Sequence, residues 1–136
     1  LGIGEQLHLL GERTDIPRLL ASLDIATLSS YSEGFPNVVG EAMSCGVPCV
    51  VTDVGDSAWL VGNTGLVVPP RDPNALAAAW LKLIQMSADN RQKLGQCARQ
   101  RVLDNFSIDE IARQYEAIYE QVYYRNGRSV RTECAE

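Results

Sequence analysis

The chain has a single histidine, His8, and four cysteines, Cys45, Cys49, Cys97 and Cys134, no two of which form a C-x-x-C pair. These absences exclude a His-rich zinc site and a paired-cysteine redox motif, and point to buried thiols in a reducing, cytosolic compartment. No apolar run reaches the ~18–20 residues needed to cross a bilayer, and the start carries no signal-peptide pattern. Basic residues are the minority: 12 Lys and Arg against 17 Asp and Glu leave a net charge of −5. That balance argues against broad electrostatic binding to nucleic acid or anionic lipid. There is no Asp-x-Asp pair of the kind that holds a divalent cation, so no metal is expected. Internal repeats and low-complexity segments are also lacking. What is present is globular in character: 136 residues, 46% hydrophobic and 21% charged, enough for one domain with a real core. The opening LGIGEQ does not begin with Met and reads as the trailing end of something upstream, so a part of a longer protein is expected.

Residues 6–10 (QLHLL), 24–29 (DIATLS) and 48–52 (PCVVT) are short, near-continuous apolar runs. Strands covered on both faces of a parallel sheet have this form. Helices are expected between them, one capped by Thr14 or Asp15 and running to Leu23, the next entered at Pro36 and closed at Gly46. Residues 54–65 read as loop, followed by a fourth strand at residues 65–68 (GLVV). Asp72 then caps a helix with Leu76, Trp80, Leu83 and Ile84 on its apolar face. Ser87 starts another, with Leu94, Ala98 and Val102 inward, while Arg91, Lys93, Arg99 and Arg101 read as a solvated face. Ser107 and Glu110 form a capping box, with Phe106 and Ile111 as a hydrophobic staple, ahead of a last helix lined by Ile111, Tyr115, Ile118 and Val122. The expected organisation is one α/β unit over residues 1–124, with a disordered tail at 125–136. Strand and helix alternate as in an open, Rossmann-like parallel sheet.

Residues 33–41, EGFPNVVGE, carry the chemistry. Two carboxylates, Glu33 and Glu41, stand with seven residues between them where a strand ends and a helix begins, the edge at which open α/β sheets bind ligands. Gly34 allows a tight turn and close ligand approach. Pro36 suits helix entry, leaving the N–H groups of Phe35, Asn37 and Val38 at the positive end of the helix dipole, a setting for phosphate. Glu41 lies one turn after Asn37 and can accept two hydrogen bonds from a ribose diol. Glu33 faces the same crevice from the strand side and can accept from hydroxyls of a second polar group. A nucleotide sugar presents that sequence of groups.

The run EGFPNVVGEAMSCGVPCVVTD, with GLVVPP and DP further on, resembles the E-x7-E region of GT-B glycosyltransferases, in particular the large retaining group called family 4. The resemblance spans residue 7 to about residue 123 and matches the second half of that family's C-terminal, donor-binding domain. It implies transfer of a sugar from a nucleoside diphosphate, UDP ahead of GDP or ADP, with retention of configuration and without a cofactor. It implies that Glu33 is catalytic and contacts the hydroxyls of the donor sugar, that Glu41 binds the ribose, and that Gly34, Phe35, Pro36, Asn37 and Val38 hold the diphosphate and sugar. The loop at residues 11–13 would lie near the base. The acceptor, a glycan, lipid or small molecule, would bind a missing N-terminal domain. The full-length protein would work in the cytoplasm, with peripheral association at the cytoplasmic face of a membrane. The Arg and Lys that clamp the diphosphate in this family are not in the chain, so the chain alone is expected to have negligible transferase activity. A nucleotide-sugar epimerase of the same architecture, or a non-catalytic nucleotide- or protein-binding module, are the alternatives.

Overall fold

The computed structural model describes residues 2–125. Three short strands form a parallel sheet: β1 (Ala26–Leu28), β2 (Cys49–Thr52) and β3 (Leu66–Val68), in the order β1-β2-β3. β2 is central, with Thr27 opposite Val50 on one side and Val67 opposite Val51 on the other. All four of its residues are buried, which is why it reads as an unbroken apolar run rather than an alternating one. Its side chains still divide by face. Cys49 and Val51 join Leu20, Val39, Met43, Leu60, Val61 and Ala98 in one core, whereas Val50 joins Val68, Ala79 and Leu83 in another. Burial pushes the Cys49 thiol up from 9.0 to about 12, so it packs as a small apolar group.

The helices α1 (Ile16–Ala21), α2 (Asn37–Ser44) and α3 (Ser57–Val61) contribute to the first core, and α4 (Pro73–Gln85) covers the other face. Helices α5 (Ala88–Asn105) and α6 (Ile108–Arg125) follow. The residues beyond 125, expected to be a disordered tail, lie outside those described, while Arg125 itself closes α6.

Four expectations are corrected. Residues 6–10 are not a strand: Gln6 closes a short 3-10 turn, residues 7–10 pair with no neighbour among the described residues, His8 is exposed and Leu9 is 91% exposed. An apolar run becomes a strand only where a partner supplies its hydrogen bonds, and none lies beside it. Residues 54–65 are not wholly loop, since α3 lies within them and buries Leu60 and Val61. On α4 the buried positions are Ala79 and Leu83, while Trp80 and Ile84 are exposed, the Trp80 indole N–H donating to Thr27 Oγ1 at 2.8 Å. The capping box at α6 is half made. Ser107 Oγ accepts from the Glu110 N–H at 3.3 Å, but the Glu110 carboxylate turns to Arg113 at 2.8 Å and Gln114 at 3.0 Å.

The basic residues of α5 are also not merely a solvated face. Arg91 donates to the Met86 carbonyl at 2.7 Å, just past α4, and Arg99 donates to the Ser44 carbonyl at the end of α2. Arg101 donates to the Leu60 carbonyl at 2.9 Å and to that of Trp59 at 2.6 Å, in α3. Three guanidinium groups thus meet carbonyls that three helix ends leave without partners, where positive charge is favoured.

Candidate functional site

The turn before α2 is fixed by backbone contacts from the loop after β2. The Asp56 N–H donates to the Gly34 carbonyl at 3.0 Å. Gly55, at φ +52°, packs so close that a Cβ there would collide with the Glu33 carbonyl oxygen and lie 2.5 Å from that of Gly34. Only glycine allows this approach in this conformation. Phe35 anchors the turn laterally, with its ring centroid 6.2 Å from Trp59 and 6.1 Å from Phe106, which stand 4.9 Å from each other. Aromatic rings at these separations and tilts attract beyond simple burial. Gly55, Trp59 and Phe106 are the supporting residues that the motif did not reveal; a Gly just past a strand on the ligand edge is the one local signal that marks such an approach.

Glu33 is half-buried, and its Oε1 accepts from Ser30 Oγ at 2.6 Å. Ser30 is held in turn by its carbonyl, which accepts from Thr52 Oγ1 at 2.7 Å. One carboxylate oxygen of Glu33 is therefore oriented from behind. Pro36 is buried at the N-cap, just ahead of the first helical turn. Of the three amides expected to be free, Asn37 N–H is used, donating to the Phe35 carbonyl at 3.0 Å, while the N–H groups of Phe35 and Val38 have no backbone acceptor among the described residues. Two donors, not three, are left without a backbone acceptor at the positive end of α2.

Asn37 and Glu41 lie on one face of α2 and open onto a cavity of about 800 Å3. Ile16, Pro17 and Leu20 of α1 also line it, together with Phe35, Leu60 and Phe106. An apolar cavity with a few polar groups at its rim has the make-up of a small-molecule site. The structure does not bring all the expected residues together. Phe35, Asn37 and Glu41 line this cavity; Glu33, Gly34, Pro36 and Val38 do not, and the Val38 side chain instead lines a smaller hollow beside β1. Residues 11–13 do not line it either, Arg13 being bound to Asp15 through two contacts of 2.8 Å at the start of α1. That pairing occupies the Asp15 carboxylate, which therefore does not cap the helix, and holds its pKa below the usual carboxylate range.

Residues 1–86 match the family model described as glycosyl transferases group 1. The chain is similar to the N-acetyl-alpha-D-glucosaminyl L-malate synthase of Bacillus anthracis, at 34% identity over 124 residues, 90% of this chain and 32% of that protein. It is similar also to the N,N'-diacetylbacillosaminyl-diphospho-undecaprenol alpha-1,3-N-acetylgalactosaminyltransferase of Campylobacter jejuni, at 34% identity over 85% of this chain and 31% of that protein. Among solved structures, Anabaena Alr3699/HepE in complex with UDP-glucose superposes with a TM-score of 0.79 at 27% identity, covering 89% of this chain and 34% of that one. The chain spans about a third of the length of the curated relatives it matches.

Proposed function

The chain belongs to the glycosyl transferases group 1 and has the α/β fold of GT-B enzymes, and from that premise we propose that it forms the donor-binding part of a retaining sugar transferase. The donor is a nucleoside-diphosphate sugar, with UDP favoured because a superposable relative carries UDP-glucose. The body of the acceptor is held by other parts of the longer protein. A cytoplasmic setting belongs to the same reading, and no helix among the described residues is long and apolar enough to cross a membrane.

One observation carries this proposal: Asn37 and Glu41 open from one helix face onto a large apolar cavity, with two free amides and a braced Glu33 at the head of the same helix. Glu41 accepts from the ribose hydroxyls at the cavity rim. The Phe35 and Val38 amides face the diphosphate. As the bond from the anomeric carbon to the diphosphate oxygen breaks, negative charge grows on that oxygen, and preorganised donors lower the barrier by meeting it. Glu33, held by Ser30, accepts from hydroxyls of the departing sugar and keeps the anomeric carbon placed for the acceptor oxygen, which bonds on the same face as its proton passes to the released diphosphate.

Steady-state kinetics of the full-length protein test this division of labour. Glu33→Gln should cut kcat by about 100-fold or more. Glu41→Ala should mainly raise the donor KM by about 10-fold, as loss of binding energy common to ground and transition states does. Unchanged kinetics in both variants would sink the proposal.

A further inference from the structure

A second crevice opens on the same sheet edge and has no part in the donor site. It has a volume of about 360 Å3 and lies where all three strands end: Ser29 follows β1, Thr52 closes β2 and Pro69 follows β3, with Tyr31, Arg71 and Leu76 completing the wall. In open α/β sheets this edge is where ligands collect. Arg71 is the one non-glycine residue with positive φ, +62°, among those described, a conformation that side-chain-bearing residues adopt only at a cost and that concentrates at functional positions. Its guanidinium carbon stands 5.4 Å from the centre of the Tyr31 ring. The ring face steadies the cation without neutralising it.

No carboxylate among the described residues pairs with Arg71; the ion pairs are Arg13 with Asp15, Arg91 with Asp24 and Arg113 with Glu110. Asp72, also in the wall, is engaged as the cap of α4, its Oδ1 accepting from the Ala75 N–H at 2.9 Å. The hydroxyls of Ser29 and Tyr31 have no partner among the described residues. The crevice thus holds a planar cation and two free hydroxyls, on a chain whose net charge is −5. A guanidinium fork of this kind matches the paired oxygens of a phosphate or a carboxylate. The crevice is also joined to Glu33, because Thr52 in its wall donates to the Ser30 carbonyl at 2.7 Å and Ser30 donates to Glu33 at 2.6 Å.

We propose that the Tyr31–Arg71 crevice binds an oxyanion carried by the acceptor and so orients that second substrate beside Glu33. This rests on the reading of Glu33 and Glu41 as the donor site. An acceptor with a phosphate or a carboxylate fits, and a neutral sugar does not use Arg71.

Isothermal titration of the full-length protein, with the donor site filled by saturating UDP, tests it with two probes, inorganic pyrophosphate and succinate. At least one should bind. Arg71→Gln should weaken that binding by at least about 10-fold, corresponding to about 1.4 kcal/mol, and Arg71→Lys should weaken it less, while UDP affinity stays unchanged in both. Binding of pyrophosphate alone assigns a phosphate handle, and of succinate alone a carboxylate. Arg71→Gly, which relaxes the backbone, guards against misfolding: it should raise the melting temperature and still lose the probe. If neither probe binds, or if the Arg71 variants bind as the wild type does, the crevice is not an anion site. Failure of UDP itself to bind would strike at the donor site, and the Arg71-dependence of probe binding would still decide this proposal.

Discussion

Helices α5 and α6 have the same length, 18 residues each, and opposite relations to the rest of the molecule. α5 is strongly polar, yet it touches both cores, with Ala98 in one and Leu94 against the other, and its arginines bond to the ends of α2, α3 and α4. α6 carries Tyr115, Ile118, Tyr119, Val122 and Tyr123 along its length and has no buried residue. Apolar content alone does not decide which helix is integrated. Small residues that permit close approach, and cations that meet unpaired carbonyls, bind α5 more firmly than an apolar stripe that buries no residue among those described binds α6.

The sharpest way to break this contrast is at Gly95. A Cβ there would collide with the Gly46 carbonyl oxygen, just past α2. Alanine would favour the helix itself by about 1 kcal/mol, but the collision wins, and Gly95→Ala should destabilise the 136-residue chain by about 2–3 kcal/mol. Urea unfolding reads this directly, and an unchanged midpoint would mean that α5 slides without loss. Next comes Arg101→Ala, which frees the carbonyls of Trp59 and Leu60 and should cost about 1.5–3 kcal/mol, with Arg101→Lys recovering only part because an ammonium lacks the fork geometry. Equal stability of the Ala and Lys variants would argue against the fork. The smallest effect belongs to α6: Ile118, 53% exposed, changed to Ser should shift stability by no more than about 0.5 kcal/mol. A loss of about 2 kcal/mol there would show that the stripe is covered and would erase the contrast.

Features with local causes are legible in the sequence. The strands β1, β2 and β3 lie inside the apolar runs that announce them, and the caps at Asp72, Ser87 and Ser107 are made by the residues expected, with bonds to N–H groups three residues on. The positions of Asn37 and Glu41 on one face of α2 likewise follow from helical spacing. What is not legible depends on distant partners. Arg99 and Arg101 of α5 look like surface charge because their acceptors lie 41 to 55 residues away in Leu60, Trp59 and Ser44. Residues 7–10 look like a strand because nothing in a short apolar run tells whether a neighbour exists. The separation of Glu33 from the cavity that Glu41 lines also escapes a motif, since the turn that carries Glu33 is clamped by the loop after β2.

That clamp is made by Gly55, a residue with no side chain to remove. A survey that truncates side chains one at a time would pass over it, although it decides where Glu33 stands. Perturbing it requires adding an atom, and a single methyl group would press on two loops at once. The placement of the two-carboxylate segment therefore depends on a position outside that segment.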